Sequence, residues 1–146
     1  MDSFIETIRH FGIVVNDMSK SLWFYRDLLG LHVVSKMDCF GNYVDTMLKL
    51  KNAKIDIVKL STNNDSTEIE LLEYHFPPKN SSRREINFIG PSHLAFTVKN
   101  LDNFYQFLIS KNIRFNSPPQ TSSDGKVKVC FCYDPDDTPI ELVEML

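Results

Sequence analysis

Long apolar runs, an excess of basic charge and a cysteine framework are all missing from this 146-residue chain. Each absence excludes a class of protein. A spanning helix needs about 20 consecutive apolar residues, whereas the apolar runs here extend over only a few, so no membrane insertion is expected. The opening Met1-Asp2-Ser3-Phe4 shows no basic segment followed by an apolar one; export is not expected, and the chain reads as cytoplasmic. Sixteen basic against nineteen acidic side chains leave a formal charge of −3, without the footprint of a nucleic-acid binder. Cys39, Cys130 and Cys132 are odd in number and lack framework spacing, and Cys130-Phe131-Cys132 is too tight for a C-x-x-C site. They read as reduced thiols. With 42% hydrophobic and 24% charged residues the composition excludes disorder and coiled coil, and the length suits one domain, 1–146.

What the chain does contain is its own pattern twice. Ile8-Arg9-His10-Phe11-Gly12-Ile13-Val14-Val15 and Pro91-Ser92-His93-Leu94-Ala95-Phe96-Thr97-Val98 align at the spacing of 83 that separates His10 from His93. The ends align as well: Ile69-Glu70-Leu71-Leu72-Glu73 matches Ile140-Glu141-Leu142-Val143-Glu144 at the spacing of 71 between Glu70 and Glu141. The first copy therefore has an interior 12 residues longer. Each copy reads as strand, helix and further strands. Ser19 is the expected N-cap of the first helix and Gly30 its stop, and the second helix runs from Leu101 to near Asn112. Later strands are expected over 37–50, 55–60 and 68–74 in the first copy and over 113–116, 127–133 and 139–145 in the second, with a polar turn at 63–66. Module one spans 4–76, a polar linker 77–87 and module two 88–146; each half is too short to bury a sheet face by itself.

The period of two separates two faces on each opening strand. Phe11, Ile13 and Val15, like Leu94, Phe96 and Val98, are large and should cover the helices. His10, Gly12 and Val14, like His93, Ala95 and Thr97, combine an imidazole with small neighbours, as expected of a pocket wall. Glu70 and Glu141 interrupt apolar strands, where a carboxylate is costly unless paired, protonated or bound to a cation. A lone strand histidine is most often a hydrogen-bonded core residue, but two His and two Glu at equivalent places favour a four-ligand N2O2 site. That set suits Zn, Ni, Co, Mn or Fe, and its oxygen share disfavours a purely structural zinc. His32 and His75 have no counterparts and read as surface or structural residues. Glu73 and Glu144 repeat on the opposite face and are assigned to solvent.

The two openings, together with Phe24-Tyr25-Arg26-Asp27-Leu28-Leu29-Gly30 and the ending Asp134-Pro135-Asp136-Asp137-Thr138-Pro139-Ile140-Glu141-Leu142, resemble the vicinal oxygen chelate superfamily over essentially the whole chain. That group includes glyoxalase I, methylmalonyl-CoA epimerase, extradiol dioxygenases and the fosfomycin and bleomycin resistance proteins. The resemblance implies an α+β fold of two βαβββ modules forming a curved, cup-like mixed sheet, and one divalent metal ion held by His10, Glu70, His93 and Glu141. Asp137 stands where the family often has Gly, and Asp tolerates left-handed backbone. The carboxylate at Glu70 tilts the expected chemistry toward a glyoxalase I-like lyase or isomerase, with Glu141 as the main base and Glu70 as the second. The alternatives are an extradiol-type or other dioxygenase, and a binding protein for an antibiotic or other small ligand. A small-molecule substrate and a homodimer are expected; Arg9, Arg83, Arg84 and Arg114 are assigned to surface solvation rather than to substrate.

Overall fold

The structure, a computed structural model, describes residues 4, 7–63, 67–79, 86, 87 and 89–146. The expected turn at 63–66 and linker at 77–87 lie largely outside these residues, as do Arg83 and Arg84. The chain divides into two compact units, Met1–Ser81 and Ser82–Leu146.

In the first unit the alternating segment forms β1 (His10–Val15), and α1 (Met18–Leu22) follows, running on as a π-helical stretch over Trp23–Leu28. Asp17, not the expected Ser19, caps α1. Its backbone is extended at φ −143°, and its carboxylate accepts from Lys20 N at 3.1 Å, whereas Ser19 already lies within the helix. Gly30, at φ 80°, ends the helical stretch as expected. β2 (His32–Phe40), β3 (Lys54–Ser61) and β4 (Glu68–Phe76) complete a sheet of order β1-β4-β3-β2, with β1 and β4 parallel. One face buries Val15, Val58, Leu60, Ile69 and Leu71, and the helical side contributes Leu22, Phe24, Tyr25 and Leu28. Phe11, expected under the helix, is half exposed.

The expected strand over 37–50 breaks at Phe40. Gly41 turns the chain at φ 91°, and α2 (Asn42–Leu48) follows. Val44 and Leu48, like Tyr43 and Met47, are four residues apart, a helical spacing inside a segment that had been expected as strand. Asp45 secures the return by accepting from Asn52 N and Ala53 N, each at 2.8 Å. Val44 packs on Ala53, Ile55 and Ile57, with Leu72 and Tyr74 beside them. The longer interior of the first copy is this helical excursion.

The second unit repeats the order with β5 (Leu94–Thr97), α3 (Leu101–Ser110), β6 (Gln120–Thr121), β7 (Val127–Tyr133) and β8 (Pro139–Met145). Its sheet runs β5-β8-β7-β6, again with the first and last strands parallel. The α+β class and the paired βαβββ order are thus as expected, with α2 added. The expected strand at 113–116 shrinks to one bridge, Phe115 to Cys132, since Pro118 and Pro119 cannot donate to a ladder. Cys130 and Cys132 are buried beside Ile140 and Leu142. Burial pushes their thiols up to about 11 and about 12, so both remain protonated.

Glu73 and Glu144 do not face solvent as expected. Glu73 accepts from Met18 N at 2.9 Å, and Glu144 accepts from Asn100 N at 2.8 Å and Leu101 N at 3.0 Å. The first N–H groups of a helix have no internal partner, and its N-terminus favours negative charge. The repeated glutamate therefore ties the last strand of each unit to the start of its helix. Replacing Glu144 with Ala should destabilise the protein by about 1–2 kcal/mol and Glu144→Gln by less, as for loss of a side-chain cap. Urea unfolding monitored by circular dichroism measures this; equal midpoints for wild type and Glu144→Ala would contradict the capping role.

Candidate metal centre

Strand register places the expected ligands. In the first unit Gly12 stands opposite Glu70 and His10 opposite Glu68, so these four share one sheet face. In the second unit Ala95 stands opposite Glu141, with His93 two residues ahead of Ala95. A residue with little or no side chain thus sits beside each carboxylate. A Cβ at Gly12 would meet Leu72 Cδ1 at 3.4 Å, an ordinary contact.

Each unit joins its own histidine and glutamate. His10 Nε2 lies 3.4 Å from Glu70 Oε2, and His93 Nε2 lies 3.3 Å from Glu141 Oε2. Both separations exceed the usual 2.7–2.9 Å of a charge-assisted hydrogen bond, as given for such pairs in general. They equal the spacing of about 3.0–3.4 Å between two ligands bonded at about 2.1 Å to one tetrahedral or octahedral ion. The donor set, two imidazoles and two carboxylates, also fits a divalent first-row metal. Among the described residues no group of three or more His, Cys, Asp or Glu stands together as a metal site; the candidates come as two pairs, one per unit.

The two imidazoles differ at their other nitrogen. His93 Nδ1 is 2.7 Å from Ser92 Oγ, while His10 Nδ1 is buried without a hydrogen-bond partner. The aligned neighbour of Ser92 is Arg9, which has no hydroxyl to offer. A hydroxyl that accepts from Nδ1–H leaves the Nε2 lone pair directed at an ion, the usual supporting contact of a metal-bound histidine.

Two further side chains share the Glu70 face and were missed in the sequence. Lys59 on β3 is the register partner of Glu70, and its Nζ lies 3.2 Å from Glu68 Oε2 and 3.8 Å from Glu70 Oε1. Their available signal was a lysine inside the apolar run Ile55-Asp56-Ile57-Val58-Lys59-Leu60, but its partner depends on strand register. In the second unit the partner of Glu141 is Phe131, whose ring meets His93 edge-on at 5.3 Å between centroids. Of the remaining candidates, His32 is exposed and His75 pairs with Asp56 at 2.9 Å on the surface. Arg114 is not merely solvated: it stacks over Tyr133 at 3.7 Å and pairs with Asp137, whose φ of 65° is the left-handed turn expected there.

Residues 7–142 match the sequence pattern of the Glyoxalase/Bleomycin resistance protein/Dioxygenase superfamily. The uncharacterized protein YwkD of Bacillus subtilis (strain 168) is 33% identical over 142 residues, covering 96% of this chain and 98% of YwkD. The lactoylglutathione lyase of Schizosaccharomyces pombe is 27% identical over 148 residues, which span 93% of this chain and 46% of the lyase. Among solved structures, a glyoxalase family protein from Bacillus cereus has a TM-score of 0.88 at 19% identity, covering 100% of this chain and 99% of that one; this is a likeness of fold.

Ser92→Ala should weaken binding of Zn²⁺ or Ni²⁺ by about tenfold while leaving the fold intact, the usual weight of a supporting contact to a metal-bound histidine. Isothermal titration calorimetry reads this directly. Equal affinities in wild type and variant would show that the hydroxyl does not orient His93.

Proposed function

From membership of this chain in the Glyoxalase/Bleomycin resistance protein/Dioxygenase superfamily, we propose that it is a divalent-metal-dependent lyase or isomerase of glyoxalase I-like type, moving a proton next to the carbonyl of a small substrate. The observation that carries this reading is a His–Glu pair in each of the two units, at matching separations. His10, Glu70, His93 and Glu141 would together hold one ion, either within a chain or after two chains exchange units. When bound, that ion supplies Lewis-acid polarisation of the substrate carbonyl and neutralises the charge that develops on its oxygen.

The chain's own residues do the rest. Glu141 removes the proton from the carbon beside the carbonyl and returns it to the same or the neighbouring carbon, for which it must lie within about 3 Å of that proton. Glu70 is the assisting carboxylate. Two carboxylates and two neutral imidazoles balance a charge of +2, so the loaded ligand set carries no net charge. Gly12 and Ala95 leave room beside the carboxylates for a substrate with two neighbouring oxygens. The likeness to lactoylglutathione lyase supports a thiol-conjugated or thioester substrate.

The protein is proposed to act in the cytoplasm as a homodimer. No helix among the described residues is long and apolar enough to cross a membrane. β1 and β2 are the outer strands of the first sheet, and Phe11, Met37, Phe40 and Tyr43 are exposed near them; pairing with a second copy covers such edges and apolar surface.

The test is turnover of hemithioacetals, formed from small α-oxoaldehydes and thiols, by metal-loaded protein in deuterated water, followed by nuclear magnetic resonance. Glu141→Gln should retain the fold and lower turnover by about 10²–10⁴, the weight of a general base. Glu70→Gln should cost less, and deuterium should enter the product wherever the proton exchanges before its return. Wild-type turnover by Glu141→Gln, or consumption of one O₂ per event, would overturn the lyase or isomerase assignment.

A further inference from the structure

The two His–Glu pairs are alike but their surroundings are not. Opposite Glu70 stands Lys59, and opposite Glu141 stands Phe131. Glu68 aligns with Pro139 at the same spacing that relates Glu70 to Glu141. The first unit therefore carries a lysine and an additional carboxylate where the second carries two apolar residues. The Lys59 side chain is only 13% exposed, and a cation so placed is costly unless carboxylates answer it. Its Nζ lies nearer to Glu68 than to Glu70, and it engages Oε1 of Glu70 while Oε2 is the oxygen facing His10.

Glu68 is the register partner of His10 and shares its sheet face. Relieved of the ammonium, it would be a further carboxylate within reach of an ion at His10 and Glu70, and carboxylate oxygens are good ligands for divalent metals. Building on the metal reading above, we propose that Lys59 is a positioning residue: it withholds Glu68 from the ion and fixes Glu70 as a permanent ligand. Glu141, with a phenyl ring opposite it instead of an ammonium, is left as the carboxylate that can exchange between ion and substrate proton. This break in the internal repeat gives two otherwise equivalent glutamates separate duties.

The test is cobalt(II) binding, measured by competition with a chromophoric chelator and by the visible spectrum of the bound ion. Lys59→Met should tighten binding by about tenfold, the scale of effects from residues that support metal ligands. It should also weaken the visible bands as Glu68 adds to the coordination. Glu68→Gln should act in the opposite sense, loosening binding by about tenfold at an unaltered spectrum, because the ammonium of Lys59, no longer neutralised by Glu68, then opposes the charge of the ion. The double variant and Lys59→Arg should both return to wild-type behaviour. Shifts of the same sign in Lys59→Met and Glu68→Gln, or no shift in either, would mark an ordinary sheet ion pair and overturn the positioning role. If Lys59→Met fails to fold, Glu68→Gln decides alone, and an unchanged affinity overturns the proposal. Wild-type protein that takes up no cobalt(II), or Glu70→Gln that binds it at wild-type affinity, would instead remove the metal reading and this inference with it.

Discussion

An ionised carboxylate on a half-buried strand must be answered by a cation, a proton or a metal. Both units place a histidine one strand away from the glutamate as a shared donor for an ion, and the first adds the ammonium of Lys59. The parallel pairing of first and last strands makes this possible, because it sets Gly12 against Glu70 and Ala95 against Glu141 and leaves the imidazole room to approach. The remaining sheet and the helices hold those two strands in register.

The closing strand of each unit does two jobs by parity. Glu70 and Glu73 are three residues apart and so point to opposite faces, as do Glu141 and Glu144. The first of each pair meets the histidine, and the second accepts from the backbone at the start of the helix. A slip of one residue in strand register would exchange these roles and lose both. Capping and site geometry are therefore coupled through a single strand.

Much of this was legible in the sequence because repetition exposes it. The βαβββ order, the strands 127–133 and 139–145, and the equivalent places of the two histidines and two glutamates all follow from the two matched copies. Where the copies differ, pattern alone was a weaker guide. The α2 excursion sits in the part of copy one that has no counterpart, and its apolar residues were open to reading as strand until Gly41 turned the chain. Glu73 and Glu144 were misassigned because a carboxylate that caps a helix distant in sequence looks, locally, like one facing water. Lys59 and Phe131 became visible only through strand register, which depends on pairings across 10 or more residues of chain.

The central claim is that two like pairs in two units act as one metal centre. Elemental analysis and equilibrium titration of purified protein with Zn²⁺ or Ni²⁺, on wild type and on His10→Ala and His93→Ala, test it most directly. One ion per chain is predicted, with either substitution alone removing most of the binding, since every ligand serves the same ion. Two ions per chain, or loss of only half the binding from each substitution, would mean that the pairs work separately and would contradict the account.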